Sequence, residues 1–183
     1  TKDLLDAVNR VNADAVIILP NNSNIIMAAQ SACSLAKVPC AVVPTKSVPQ
    51  AFAALFGADA QASLEDNAES MTEAFSEVKT GEVTHAIKDS KDAAGNPIRE
   101  GDVIGIADGS IEAVGSSVED VVMDLLSVME AEDGDTLTIL AGEDMDDAAF
   151  DALVSHIEET YEDLEVDSHR GEQPLYPIVM SVE

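Results

Sequence analysis

Residues 15–48 read AVIILPNNSNIIMAAQSACSLAKVPCAVVPTKSV, and their pattern decides the fold. Ala15–Leu19 is an unbroken apolar run closed by Pro20. Such a run suits a strand covered on both faces, as in a parallel sheet. Asn21–Asn24 is polar and rich in side chains that accept a hydrogen bond from the first turn of a helix. Ile25–Ala36 then reads as a small-residue helix able to lie close on a sheet, and Pro39–Val43 as a second buried strand. Strand, helix and strand form a βαβ unit, for which strand twist dictates a right-handed crossover.

Upstream, residues 3–12 place Leu4, Leu5, Val8 and Val11 on one helical face. Thr1-Lys2-Asp3 enters that pattern directly, without a start methionine, as a fragment of a longer protein does. Downstream, Thr45–Val48 is a strand-end loop. Pro49–Phe56 is a helix with proline tolerated in its first turn, stopped by Gly57. Residues 64–78 form a longer helix with Leu64, Ala68, Met71, Phe75 and Val78 on one side.

The character changes near Gly81, which divides the chain into an α/β lobe over 1–80 and a mixed-sheet α+β lobe over 81–183. Val83–Ile87 alternates as a strand covered on one side does. Ala93–Pro97 reads as a turn, Asp102–Ile106 as a strand, and Asp108-Gly109 as a hairpin turn returning through Ser110–Val114. Ser117 caps a helix at 118–129, with Glu119 and Asp120 favourably placed in its first turn. Thr136–Leu140 is a strand. Asp146–Glu162 is an acidic amphipathic helix that turns Phe150, Leu153, Val154, Ile157 and Tyr161 inward. Leu164–Asp167 and Leu175–Val182 are the last strands.

Charge excludes whole classes of partner. With 36 acidic and nine basic residues the net charge is −27, so the clustered Lys and Arg that a phosphate backbone needs are missing. An anionic membrane surface repels such a chain, and no apolar run approaches the length of a membrane span. Two cysteines, Cys33 and Cys40, are too few for a disulfide framework and read as small core residues. Without a signal peptide at its start, the chain is expected in the cytoplasm.

Motifs for catalysis are absent from the sequence. No GxxxxGK[ST] loop and no GxSxG elbow occur. Gly101, Gly105 and Gly109 lie among strand signals and read as turns and close backbone contacts rather than a dinucleotide fingerprint. His85, His156 and His169 fall on different elements without ligand spacing, and Glu130–Asp135 fails the calcium-loop offsets, so no metal site is expected.

Two loops remain as candidate binding sites. Asn21, Asn22, Ser23 and Asn24 lie beyond a strand end at a helix N-terminus, where ligands and anions bind in open parallel sheets. Thr45 and Lys46 end the neighbouring strand and add a hydroxyl and a cation, together suiting a carboxylate or phosphate. The alternative is that the asparagines only cap the helix and close turns. The second loop is Ser168–Pro174, where His169, Arg170 and Gln173 bring basic and amide groups into the acidic lobe, for an anion or a partner carboxylate. The alternative there is an ordinary loop with a local ion pair.

ILPNNSNIIMAAQ (18–30), VVPTKSVPQAFAAL (42–55), VKTGEVTHAIKDS (78–90), GDVIGIADG (101–109) and GEQPLYPIVMSVE (171–183) resemble, in order and over the whole chain, the C-terminal domain of the bacterial fatty acid kinase A protein. That family is also labelled dihydroxyacetone-kinase-like or DAK phosphatase-like. Ala51 and Glu172 stand where the family pattern has glycine. The resemblance implies a DegV-like α/β fold and a non-catalytic role: docking an acyl-binding, DegV-like subunit so that an upstream domain can form an acyl-phosphate. ATP and magnesium are implied for that upstream domain and no cofactor for this piece. Its implied partners are the upstream domains of its own chain and the acyl-binding subunit, with self-association open. A small-molecule domain holding a fatty acid or phosphate at the strand-end loops is the alternative.

Overall fold

The computed structural model describes residues 1–92 and 94–183. They form two compact units, Thr1–Val78 and Lys79–Glu183.

In the first unit, β1 (Val16–Ile18) and β2 (Cys40–Val42) pair in parallel, with Val16 opposite Cys40 and Ile18 opposite Val42. The connecting helix α2 (Ser23–Leu35) completes the βαβ unit. Around it lie α1 (Lys2–Arg10), α3 (Val48–Phe56) and α4 (Leu64–Ser76). Helices α2, α3 and α4 each begin at a side chain that accepts from the first turn: Asn22 from the Asn24 N–H, Ser47 from Gln50, and Ser63 from Asp66. Val43, Ala53, Ala54, Met71, Phe75 and Val78 make one core cluster, and Val8, Ile18 and Ala29 another. Gly57 lets α3 approach α4, because a Cβ there would sit 2.5 Å from the Ser70 carbonyl oxygen.

Two expectations for this unit need correction. The strands are mostly half-buried rather than covered on both faces, since in a two-stranded sheet each strand is an edge. Cys33 and Cys40 are not separate core thiols. They are joined in a disulfide with their Cα atoms 5.0 Å apart, because the short α2–β2 connection returns the chain beside the last turn of the helix.

The second unit is a six-stranded sheet in the order β7-β6-β3-β10-β8-β9. Its strands are β3 (Lys79–His85), β6 (Val103–Ala107), β7 (Ser110–Gly115), β8 (Thr136–Ala141), β9 (Glu165–Arg170) and β10 (Ile178–Val182). All neighbours are antiparallel except β8 and β9. A small hairpin, β4 (Ser90–Lys91) with β5 (Pro97–Ile98), stands apart from it. The turn expected at 93–97 begins at Ala93, which lies outside the described residues; Pro97 belongs to β5.

Helices α5 (Val118–Val128) and α6 (Asp147–Thr160) cover one face of this sheet. Their Val121, Leu125, Phe150, Leu153 and Ile157 pack with Val83, Leu137, Ile139, Ile178 and Met180. On the other face Ala86, Ile98 and Ile104 form a small separate cluster.

Gly81, where the character of the sequence changes, sits inside β3 rather than at a break. A Cβ there would meet Met129 Sδ at 2.7 Å and Met180 Cε at 2.8 Å, so the glycine admits the methionines. The Asp108-Gly109 turn has φ of 47° and 90°, the two positive values that a tight hairpin requires. Gly105 is a close contact, as its sequence setting suggests: its Cβ would fall 2.7 Å from Leu125 Cγ.

Candidate functional site

At the first site the two strand-end loops interlock. The Thr45 hydroxyl, fully buried, donates to Asn21 Oδ1 at 2.8 Å and accepts from the Asn21 N–H at 3.2 Å. Asn21 holds φ 56°, a left-handed conformation that asparagine tolerates better than most residues. Asn22 Oδ1 accepts from the Asn24 N–H at 2.9 Å and so caps α2. Ser23 and Asn24 are exposed on the first turn. Lys46 is also exposed, and its N–H donates to Gln50 Oε1 at 2.7 Å. The topology therefore brings Asn21 and Thr45 together and spends Asn22 on the helix cap, while the side chains of Ser23, Asn24 and Lys46 have no hydrogen-bond partner among the described residues.

At the second site the expected loop begins later than the sequence suggests. His169 and Arg170 belong to β9, because parallel pairing with β8 continues to Ala141 opposite Arg170. Arg170 Nη1 donates to the Met145 carbonyl at 2.6 Å and Nη2 to the Gly142 carbonyl at 3.1 Å. Asp147 and Glu172 carboxylates lie 3.3 Å from its guanidinium. His169 Nε2 sits 2.8 Å from Asp167 Oδ1. Gln173 Nε2 donates to the Leu140 carbonyl at 2.9 Å and the Tyr176 carbonyl at 3.2 Å. Gln173 Oε1 is buried and has no partner among the described residues. Arg170 and Gln173 thus act as clamps on the 142–147 and 171–177 segments.

Sequence reasoning passes over a third place. Thr84, His85, Ala86, Ile87, Lys88, Ser90, Ile104, Leu175 and Tyr176 enclose a hollow of about 330 Å³. Leu175 has φ 70° there, and the Thr84 hydroxyl donates to its carbonyl at 2.7 Å. Burial raises the Tyr176 phenol above its ordinary pKa, and the nearby Glu82 carboxylate adds to the rise. Glu82 is itself raised by burial. The signal in the sequence is HAIKDS beside QPLY, where the large apolar Ile87 and Leu175 stand exposed among polar neighbours.

Among the described residues no group of three or more His, Cys, Asp or Glu is placed to hold a metal ion. No described helix is long and apolar enough to cross a membrane.

The sequence pattern of the FakA-like C-terminal family, the C-terminal region of fatty acid kinase A-like proteins, matches residues 1–183. Protein YloV of Bacillus subtilis is 42% identical over all 183 residues, and a protein of Staphylococcus aureus strain USA300 is 38% identical over the same span. In both, the chain spans 33% of the relative's length. Among solved structures, a DegV family protein from Corynebacterium glutamicum matches 99% of this chain and 81% of its own with TM-score 0.63 at 16% identity. The Streptococcus pneumoniae fatty acid kinase B3 protein loaded with linoleic acid matches 100% of this chain and 75% of its own, with TM-score 0.62 at 13% identity. The dihydroxyacetone kinase operon co-activator DhaQ matches 99% of this chain and 69% of its own, with TM-score 0.62 at 13% identity. These likenesses give the fold: mixed α/β, of the DegV kind.

Proposed function

The chain belongs to the FakA-like C-terminal family, and from that premise we propose that it is a non-catalytic docking domain. Its partner is an acyl-binding, DegV-like subunit. Docking brings the acyl carboxylate held by that subunit to a kinase domain elsewhere in the longer protein, where it would take the γ-phosphoryl group of magnesium-bound ATP and ADP would leave. The product is an acyl-phosphate.

The observation that carries this reading is how the polar groups of the two strand-end sites are spent. Thr45 is bonded to Asn21, Asn22 caps α2, and Arg170 and Gln173 are committed to backbone carbonyls. A substrate site leaves donors and acceptors aimed at the ligand; here Asn21, Asn22, Thr45 and Arg170 use theirs to hold the chain to itself. Titration of the full-length protein with its cognate acyl-binding subunit tests this by calorimetry. Saturable binding is expected, and acyl-phosphate formation should need both proteins. A full-length protein that phosphorylates free fatty acid at the same rate without the subunit would overturn it.

A second reading rests on the α2 N-terminus. Ser23 and Asn24 are exposed in the first turn, beside the loop that Asn21 ties to Thr45, and Lys46 follows Thr45 in an exposed position. Helix amides and an ammonium group suit a carboxylate or phosphate. Native mass spectrometry of the purified protein separates the two readings, since a co-purifying anion lost in Lys46→Gln belongs to the second.

A further inference from the structure

The hollow in the second unit, at the end of β3, serves neither strand-end site. We propose that it receives an apolar side chain of the polypeptide partner, flanked on that partner by carboxylates that meet Lys88 and His85. The proposal rests on the docking reading and names its contact surface.

Three independent features point there. The first is apolar exposure. Ala86 and Ile104 floor the hollow at 7% and 9% exposure, while Ile87 and Leu175 at its rim are 87% and 76% exposed. Two large aliphatic side chains nearly bare to water, on either side of an apolar depression, form the anchor-and-pocket arrangement of a protein interface. A small-molecule pocket instead buries most of its ligand and its own apolar walls.

The second feature is charge. The unit Lys79–Glu183 carries 27 acidic residues and five Lys or Arg. Three of the five, Lys88, Lys91 and Arg99, fall within twelve residues that begin at the hollow and run through the β4–β5 hairpin. None of the three has an ion-pair partner among the described residues, whereas Lys79 pairs with Glu130 and Arg170 with Asp147. The same stretch also holds Asp89 and Asp92 and runs into Glu100 and Asp102, but the lining of the hollow itself contributes His85 and Lys88 and no carboxylate, so at contact range it suits the acidic group that the rest of this surface repels.

The third feature is backbone. Leu175 is a bulky residue in the left-handed region, a conformation that rarely persists without use. It is held by the Thr84 hydroxyl at 2.7 Å. That bond ties the 171–177 segment to β3 across the mouth of the hollow.

The test uses the full-length protein with the cognate acyl-binding subunit in calorimetric titrations at low and high NaCl. Ile87→Asp and Leu175→Asp are each expected to weaken binding at least about tenfold, in line with the loss of an interface anchor. Lys88→Glu should weaken it at low salt and flatten the salt dependence. Glu158→Gln, on the exposed side of α6, serves as the control for altered surface charge and should bind as the parent does. Ile87→Ser and Lys88→Gln repeat the test with milder changes, and melting curves show that each variant folds. Hollow variants that bind as tightly as the parent overturn this surface and leave the docking reading standing. A parent that does not bind the subunit overturns both. Sodium decanoate is the second probe. Saturable amide shifts at residues 84–88 and 175–176, lost in Lys88→Glu while subunit binding is unchanged, would assign the hollow to a small amphipathic anion and overturn the proposal.

Discussion

Leu175 shows what one residue can conceal from its sequence. Nothing in Gln-Pro-Leu-Tyr-Pro announces φ 70° at the leucine, because a bulky aliphatic is among the residues least expected there. A Cβ in the left-handed region costs roughly 1–2 kcal/mol, which the greater unfolded-state freedom of glycine offsets by roughly 0.5–1 kcal/mol. Leu175→Gly should therefore raise stability by about 0.5–1 kcal/mol in urea denaturation, while weakening subunit binding. A residue that is better replaced for stability and worse replaced for binding is retained for contact. Glu82 offers a second test. Burial raises its carboxyl pKa above 4.5, so the folded state holds the proton more tightly than the unfolded chain. Its destabilising effect is then absent below the unfolded pKa, grows as pH rises through the window up to the folded pKa, and is complete above it. Glu82→Gln is expected to stabilise the protein at neutral pH by an amount that shrinks as the pH falls through the raised folded pKa towards 4.5 and is gone below it, measured as melting temperature against pH. A gain that stays constant across that range would remove burial as its cause. The disulfide is another feature a sequence withholds: seven residues of separation permit Cys33 and Cys40 to meet, but only the path of α2 into β2 makes them meet.

Among the elements, helices are legible where a cap marks the start. Ser117 accepts from the Asp120 N–H and Asp146 from Ala149, and α5 and α6 begin directly after them. Their inward faces follow the 3.6-residue period, so Leu125, Phe150, Leu153 and Ile157 are buried, as the spacing requires. Strand ends are less legible because a partner sets them. β9 runs on through His169 and Arg170 since β8 is there to pair with, and β10 starts only at Ile178, after the Leu175 turn. Of the nine site residues read from the sequence, the interlocked Asn21 and Thr45 owe their meeting to parallel strands, a pairing the βαβ pattern encodes. The clamp made by Arg170 depends on carbonyls at 142 and 145 that no local pattern connects to it. The contact of α5 with the sheet depends on Gly105. A Cβ at that position would lie 2.7 Å from Leu125 Cγ, a branch atom, and 2.8 Å from the Val121 Cγ1 methyl, both on fully buried side chains. Overpacking of this kind costs about 1–3 kcal/mol. Gly105→Ala should lower stability by that amount, and in a double-mutant cycle with Leu125→Ala the two losses together should be smaller than their sum, because removing the leucine makes room for the methyl. Equal stability of the single variant and the parent would mean that α5 sits farther from the sheet.

At the scale of the whole molecule, charge is the property that sequence states most fully and folding must overcome. Net −27 on 183 residues, with 27 of the 36 acids in Lys79–Glu183, sets like charges against one another throughout the folded state. Unfolding lets them separate, so self-repulsion counts against the compact form. Salt weakens it: the Debye length falls from roughly 30 Å at 0.01 M to roughly 10 Å at 0.1 M and 3 Å at 1 M. The few ion pairs, Lys79 with Glu130 and Arg170 with Asp147 among them, weaken too, but exposed pairs contribute only about 0–1 kcal/mol each. Repulsion is thus the larger effect, and the melting temperature should rise steeply between about 10 mM and 200 mM NaCl and level off beyond. Neutralising Glu143, Asp144 and Asp151 to their amides, three exposed acids of the second unit, should raise the low-salt melting temperature and reduce its salt dependence together. If the stabilisation came instead from a specific bound cation, the neutral variant would keep its salt response or lose stability, and sodium and potassium would differ. Against the same long-range field, His85 and Lys88 in the lining of the hollow are a local exception. On the docking proposal an acidic partner meets net repulsion at long range and Lys88 only at contact, so the salt that stabilises the fold should speed the encounter while weakening the Lys88 contact. Association and dissociation rates that both rise with salt, measured beside the melting temperature on the same protein, would separate the long-range repulsion from the local contact.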